Sequence, residues 1–496
     1  MMRTAAALLL LCFAVPAFAG NQELLIVHAT LISGRGAEPV ADAWIRVSDG
    51  RIAEVGSGSP DTGDERIVDA GGRYLIPGLI DSHVHLYHAT GLKRKYTRDF
   101  ERLYRDYMIQ QPRSFLYYGF TTVVELNAEA EANARFVSAP EHPHLVHCGQ
   151  GIVLQNGFMS LDFPPGEFED AYPGFLIDHY RAAGTDDEAA ARHSPEAAVA
   201  HVLAAGGRCV KIYYEEALWW PGPRPDFQLP SVAIMRDVVR IAHEHNLPVL
   251  LHATTPAGHQ FGLQVGVDIL AHGMWEWPGQ PFDAPEPTEE YRRIAKDVAR
   301  SGIRIQPTLT TVRNAASLFD PTVLDDPGWR HAVPASYLLY LRTDAQAQRD
   351  DFLRMFAQSL PAGATTESLP ALQHAFQTRY LRLIERMRED GTQLIFGTDT
   401  AVGGFGWAAP PGLAGYREIR AWADAGIPLP EIFRALTVEN AAALRIDADA
   451  GSIEPGKRAD MLLLRKNPLE CAEAYDSIDA VIVGGKWLER DALSAN

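Results

Sequence analysis

Apolar residues in the middle of the chain collect into short runs that each close on a polar residue, and stretches of helical period separate one run from the next. In order, the runs end in Asp81-Ser82-His83, Thr122-Val123-Val124-Glu125, His144-Leu145-Val146-His147, Cys209-Val210-Lys211-Ile212, Val249-Leu250-Leu251-His252, Ile269-Leu270-Ala271-His272, Ile303-Arg304-Ile305-Gln306 and Leu394-Ile395-Phe396-Gly397-Thr398-Asp399. Strands that alternate with helices call for parallel pairing, so these eight runs predict an α/β fold built on a closed (β/α)8 TIM barrel. Between them, Ser194-Pro195 reads as an N-cap with Pro at the first helical position, and Gly206-Gly207 stops that helix. Met235, Val238, Val239 and Ala242 keep the spacing of an amphipathic helix, and Thr288 is placed to cap another that runs to Gly302.

The two ends carry a different pattern. Leu24 to Val27, Trp44 to Val47, Ile52 to Val55 and Arg66 to Val68 read as short strands, with Asp49-Gly50 as a hairpin turn. Met461 to Leu464 and Ile478 to Val483 read the same way, and Gly484-Gly485 turns the chain into Lys486-Trp487-Leu488. One small β-sandwich assembled from both termini is the expectation: residues 20–75 and 446–496 flank a barrel over 76–445. Two connections, about 154–194 and 308–391, are too long for ordinary loops. In a barrel they emerge on the active-site face, where they would roof the pocket or serve a structural or oligomer-forming role.

Composition adds bounds. With 496 residues, 47% of them hydrophobic, the chain is globular material too large for one small core. A formal net charge of -18 argues against a nucleic-acid or anionic-membrane partner, since phosphates recruit Lys and Arg, and says little about a small-molecule or short-peptide substrate. Arg3, the apolar run Ala5 to Val15 and Ala17-Phe18-Ala19 form the three parts of a secretory signal, predicting cleavage at residue 19 and a periplasmic or secreted protein. Cys148, Cys209 and Cys471 then remain, an odd, widely spaced set that predicts no disulfide framework; Cys209, inside an apolar run, reads as a buried inert thiol.

The chemistry collects at the strand ends. His83 and His85 stand at i and i+2, where a strand aims both rings to one side, and neutral imidazole is a common metal ligand. Lys211, His252, His272 and Asp399 occupy the corresponding places on four other runs, and groups of this kind are costly to bury unless paired or metal-bound.

With these residues in place the chain resembles the amidohydrolase superfamily, in particular its imidazolonepropionase-like and prolidase-like secreted members. The resemblance lies in Ile76-Pro77-Gly78-Leu79-Ile80-Asp81-Ser82-His83-Val84-His85, Gly119-Phe120-Thr121-Thr122-Val123, Gly397-Thr398-Asp399, Thr437-Val438-Glu439-Asn440-Ala441-Ala442 and the stretch from Gly451-Ser452-Ile453 to Asp460. It implies two divalent metal ions, with zinc the first choice: His83, His85 and Asp399 on one, His252 and His272 on the other, and Lys211 bridging them as a carbamate. It also implies hydrolysis of a C–N bond in a dipeptide, N-acyl amino acid or cyclic amide. Asp399 would carry the proton to the leaving group, and His147 or Tyr213 would steady the oxyanion. A lactonase or esterase on the same site is the first alternative. A mononuclear deaminase is disfavoured, because His252-Ala253-Thr254-Thr255 lacks the expected Glu and Lys211 is present. A catalytically silent metal-binding relative is the alternative outside enzymology.

Overall fold

The structure is a computed structural model describing residues 23–35, 38–164, 166–181, 187–217, 226–281, 284–317, 320–358, 365, 368–401 and 409–496; the signal segment lies outside them. Strands β1 (Leu24–Leu31), β2 (Val40–Ser48), β3 (Arg51–Ser57), β4 (Arg66–Asp69) and β5 (Tyr74–Pro77) come first. Then follow β6 (Leu79–Val84), β7 (Phe120–Glu125), β8 (His144–His147), β9 (Val210–Tyr213), β10 (Val249–His252), β11 (Ile269–Ala271) and β12 (Arg304–Gln306). The chain ends in β13 (Met461–Leu464), β14 (Ile478–Val483) and β15 (Lys486–Glu489).

The two ends join in one eight-stranded sheet of order β15-β14-β13-β5-β1-β2-β3, with β4 also on β1. The junction is β13 on β5, antiparallel, with Met461 opposite Pro77 and Leu463 opposite Leu75. The sheet curls back on itself: the Ile52 N–H donates to Lys457 O, and the Gly456 N–H donates to Ile52 O. Alternate residues from both ends, among them Ile26, Ile45, Leu75, Met461 and Ile482, close a small core of their own. Gly78 hands the chain from this sheet to β6. A Cβ there would collide with the Thr121 side chain, so the close approach requires glycine.

The middle is α/β with two parallel sheets, β6-β7-β8 and β12-β11-β10-β9. Its helices begin where the caps predict. Ser194, Ser231 and Thr288 each accept a backbone N–H, from Ala197, Ile234 and Tyr291 respectively, at the start of Pro195–Ala204, Val232–Glu244 and Glu289–Ser301.

The eighth run differs from expectation. Leu394–Asp399 forms no strand ladder and carries two isolated bridges, Leu394 to Ile305 and Thr400 to Val84, yet backbone bonds tie it to both neighbours: the Ile395 N–H donates to Ile305 O on one side, and the Ser82 N–H donates to Phe396 O and the Asp399 N–H to His83 O on the other. Side chains add to this attachment: Thr398 donates from Oγ1 and N to the Asp81 carboxylate at 2.6 and 3.0 Å, and Asn440 Nδ2 donates to both Ile80 O and Phe396 O. Asp399 then turns into the left-handed region at φ 59°, which ends any strand.

The cysteine expectation is corrected. Cys148 and Cys209 form a disulfide, and Cys471 is the free thiol. One lies just past β8 and the other just before β9, two neighbouring parallel segments that also share the Ile152 to Ile212 bridge and an Arg208 N–H to His147 O bond. An odd cysteine count conceals a pairing that only strand adjacency reveals. The loop closed by the bond spans 61 residues, so its loss is expected to cost about 4 kcal/mol of stability. Urea unfolding of the Cys148→Ala/Cys209→Ala protein, with and without reductant, measures this; a midpoint that reductant does not move in the wild type would remove the bond's stabilising role.

The second insertion is helix-rich, including Leu309–Ser317, Ala335–Arg342, Gln346–Gln358 and Leu369–Glu389. It reaches the loops past the strand ends: Tyr337 donates to Thr90 O, Tyr340 to Gly91 O, and Tyr380 accepts from the Gly273 N–H. No helix among the described residues is long and apolar enough to cross a membrane.

Candidate metal centre

Because His83 is the next-to-last residue of β6 and His85 directly follows its end at Val84, both project from one strand end toward Asp399, at the end of the eighth run. Asp399 Oδ1 lies 3.1 Å from His83 Nε2 and 3.0 Å from His85 Nε2, and Oδ2 lies 3.9 Å from His272 Nε2. The donor atoms of His83, His272 and Asp399 all fall within 4.8 Å of one another. The His252 ring stands 4.9 Å from that of His272. His272, at φ 94°, shares with Asp399 a backbone conformation that L-residues rarely adopt, and such outliers concentrate at functional sites.

Three of the four rings have a nitrogen hydrogen-bonded to an orienting neighbour, and the fourth faces a carboxylate. Gln306 Oε1 lies 3.2 Å from His83 Nδ1, Thr308 Oγ1 2.8 Å from His272 Nδ1, and Glu215 Oε2 2.7 Å from His252 Nε2. Glu125 Oε1 is 3.5 Å from His85 Nδ1, held there by accepting the Asn127 N–H. Such partners fix ring tilt and tautomer and raise ligand basicity. Glu215→Gln is expected to weaken metal affinity about tenfold to a hundredfold, read by competition with a chelator; unaltered affinity would leave Glu215 without an orienting role.

Lys211 is fully buried, and its Nζ has no hydrogen-bond partner. Burial pulls its ammonium down to about 7, against the opposing pull of Asp399 and Glu125. Burial, with the Lys211 charge nearby, drops His83 to about 3. At His85 burial acts the same way, but the carboxylates of Asp399 and Glu125 overcome it and raise the ring to about 9. Asp399 is buried too, yet the histidines hold it well below the usual carboxylate range.

Tyr213 lies at the mouth of this cluster, its ring 5.7 Å from both Lys211 Nζ and the His252 ring. His147 is not brought in. Strand alternation puts it on the opposite face from Val146 and Cys148, where Nδ1 accepts the Gly149 N–H at 3.2 Å. Of the cations available for a substrate carboxylate, Arg304 bonds Gln393, Arg313 pairs with Asp424, and Arg94 pairs with Glu101. Lys93 is half-buried, and its charge is felt at His88. The partners Glu215, Gln306, Thr308 and Glu125 received no role from the sequence; for Glu125 the signal was a carboxylate closing an apolar strand.

The donor chemistry fits a divalent cation: imidazoles, one carboxylate and a buried amine meet at one point, with His83 Nε2 and Lys211 Nζ lacking hydrogen-bond partners. Fold and cluster together define a candidate metal-binding protein whose site lies at the strand ends of an α/β scaffold. The chain belongs to the amidohydrolase family: residues 74–268 and 356–488 each match a model described as amidohydrolase family, well over half the chain together. Among curated relatives it is 33% identical over 76 residues to the L-hydantoinase of Paenarthrobacter aurescens, covering 15% of this chain and 16% of that protein. It is 37% identical over 65 residues to the imidazolonepropionase of Stenotrophomonas maltophilia, covering 13% and 16%. The match thus spans about a sixth of each of these relatives. Among solved structures the fold is shared with a Xaa-Pro dipeptidase with bound methionine in its active site, at TM-score 0.66, 18% identity, and 94% and 100% of the two chains. Molinate hydrolase is similar at TM-score 0.65 and 20% identity, covering 96% of each chain.

Proposed function

We propose that this protein is a binuclear metal-dependent amidohydrolase that cuts a C–N bond in a small substrate such as a dipeptide, an N-acyl amino acid or a cyclic amide. The observation that carries it is Lys211, a buried amine with no hydrogen-bond partner among histidines and a carboxylate from neighbouring strand ends. His83, His85 and Asp399 would hold one ion, His252 and His272 the other, and zinc suits the donors. Lys211 would serve both as a carbamate: its neutral amine adds carbon dioxide, an N–C bond forms, one proton leaves, and an anionic oxygen ligand results. Divalent ions bound there supply Lewis acidity and an activated water. Asp399, ionised and 3.0–3.1 Å from two imidazoles, accepts the proton and delivers it to the leaving nitrogen. Tyr213 is the oxyanion donor, its hydroxyl kept protonated by burial, which raises it well above its ordinary value.

Two broader readings go with this one. Side chains from all around the strand set, including Ile80, Val124, Val146, Cys209, Leu250, Ile269 and Ile395, converge in one cluster. That convergence supports a closed eight-stranded barrel, with the ladderless eighth run as its last member. The Cys148–Cys209 bond supports export to an oxidising compartment, in keeping with the signal segment.

The test is a screen of metal-loaded protein against dipeptides, N-acyl amino acids, cyclic amides and lactones. Turnover of at least one amide class is expected. Turnover of lactones or esters alone overturns the C–N assignment in favour of a lactonase, and no turnover anywhere favours a silent relative.

A further inference from the structure

We infer that Tyr380 and Glu418, two buried side chains outside the metal centre, are positioning residues that clamp residues 306–311 from both sides and thereby hold three of the proposed ligands in place; this rests on the metal-centre reading and gives the second insertion a task in it. One short segment reaches all three ligands. Gln306 Oε1 lies 3.2 Å from His83 Nδ1, Thr308 Oγ1 lies 2.8 Å from His272 Nδ1, and the Thr311 hydroxyl donates to Asp399 Oδ2 at 3.4 Å. The Gln306 carbonyl also accepts the His272 N–H at 3.0 Å. Side chains from β6, from the end of β11 and from the eighth run therefore share one support.

That support is not a conformation the chain adopts unaided. Thr308 has φ 47°, and a β-branched residue in the left-handed region is an outlier that persists only where its surroundings over-determine it. His272, which it faces, is at φ 94°. Tyr380 supplies the restraint on one side. It is fully buried in the helix Leu369–Glu389, and its hydroxyl donates to Pro307 O while accepting the Gly273 N–H at 3.0 Å. One oxygen thus ties the residue before Thr308 to the residue after His272. The fit is close, since a Cβ on Gly273 would stand 2.6 Å from that oxygen.

On the other side stands Glu418, fully buried in the helix Leu413–Asp424. The helix Leu309–Ser317 starts directly after Thr308, and the first N–H groups of a helix have no partner within it. Oε1 of Glu418 accepts the Leu309 N–H at 2.8 Å, and Oε2 accepts the Thr310 N–H. The Thr310 hydroxyl and the Trp422 indole N–H donate to the same carboxylate. All four of these contacts are donors, so a carboxylate is matched here and an amide would turn its nitrogen toward another donor.

The experiment adds cobalt(II) to metal-free wild-type protein and to Tyr380→Phe, which keeps the ring and removes only the hydroxyl. Affinity is read by competition with a chelator, ligand geometry by the visible absorption of the bound ion, and stability by the melting temperature without metal. Tyr380→Phe is expected to weaken cobalt binding about tenfold, the lower end of what losing an outer partner of a ligand costs, and to alter the absorption of the bound ion. Glu418→Gln is expected to give a loss of at least that size. Tyr118→Phe is the comparison, because it removes a hydroxyl that donates to Gly328 O in the same insertion but stands on the segment leading into the start of β7. It is expected to lower the melting temperature and leave affinity and absorption unaltered. Wild-type affinity and absorption in folded Tyr380→Phe overturn the inference whatever the melting temperature, and so does an equal loss of affinity in Tyr118→Phe. Tyr380→Phe decides the matter even where Glu418→Gln does not fold. A wild type that binds no cobalt sinks the metal-centre reading and this inference with it, whereas wild-type binding that Tyr380→Phe leaves in place sinks this inference alone.

Discussion

Lys211→Ala protein is expected to purify with clearly less metal than the two ions per chain proposed for the wild type and to turn over its substrate at least about a thousandfold more slowly. The substitution deletes a side chain that contributes nothing to hydrogen bonding as an amine and pays for its burial only if it becomes something else. If Lys211 were a core residue that merely fills space, its loss would lower stability and leave metal content alone. Elemental analysis of the purified protein separates the two, because a preserved metal count in a folded variant would end the bridging proposal. Lys211→Glu is the informative companion. It restores an anionic oxygen near the same point, and it is expected to recover part of the metal that alanine loses.

The second large effect is expected at Asp399. Asp399→Asn keeps the shape of the side chain but removes the charge that two imidazole nitrogens face at 3.0 and 3.1 Å. It also removes the proposed acceptor for the transferred proton, so kcat is expected to fall about a hundredfold to ten-thousandfold, the usual worth of a positioned acid–base group. The loss should fall on kcat more than on KM, since the amide still occupies the carboxylate's place. Steady-state kinetics on protein reloaded with metal tests this, and an unaltered kcat there would assign proton transfer to another residue.

The parts of this site that could be read from sequence are those that end apolar runs. His83, His85, His272 and Asp399 each follow several buried residues, and an ionisable group in that slot is costly enough to stand out. Their orienting partners do not stand out. Gln306 reaches His83 across 223 residues, and Thr308 and Glu215 are polar residues in loops, where polar residues are ordinary. His147 shows the opposite failure, since its strand-end position looks like that of His252, but alternation sends it to the other face. The eighth run carried the apolar pattern of a strand, and backbone bonds to Ile305, Ser82 and His83 attach it, but the Asp81, Asn440 and Thr398 side chains that reinforce it are announced by no periodicity. Caps and helix faces were readable because their determinants are local, as at Ser194, Ser231 and Thr288.

The bond between Cys148 and Cys209 has a consequence for how the chain survives a protease. The stretch it encloses contains exposed arginines at 181 and 192, both in the first long insertion. A trypsin cut after either one divides the backbone between Cys148 and Lys211, but the two pieces stay covalently joined. Nicked protein is therefore expected to migrate at full length on a gel until reductant is added, because the half carrying His83 does not part from the half carrying Asp399.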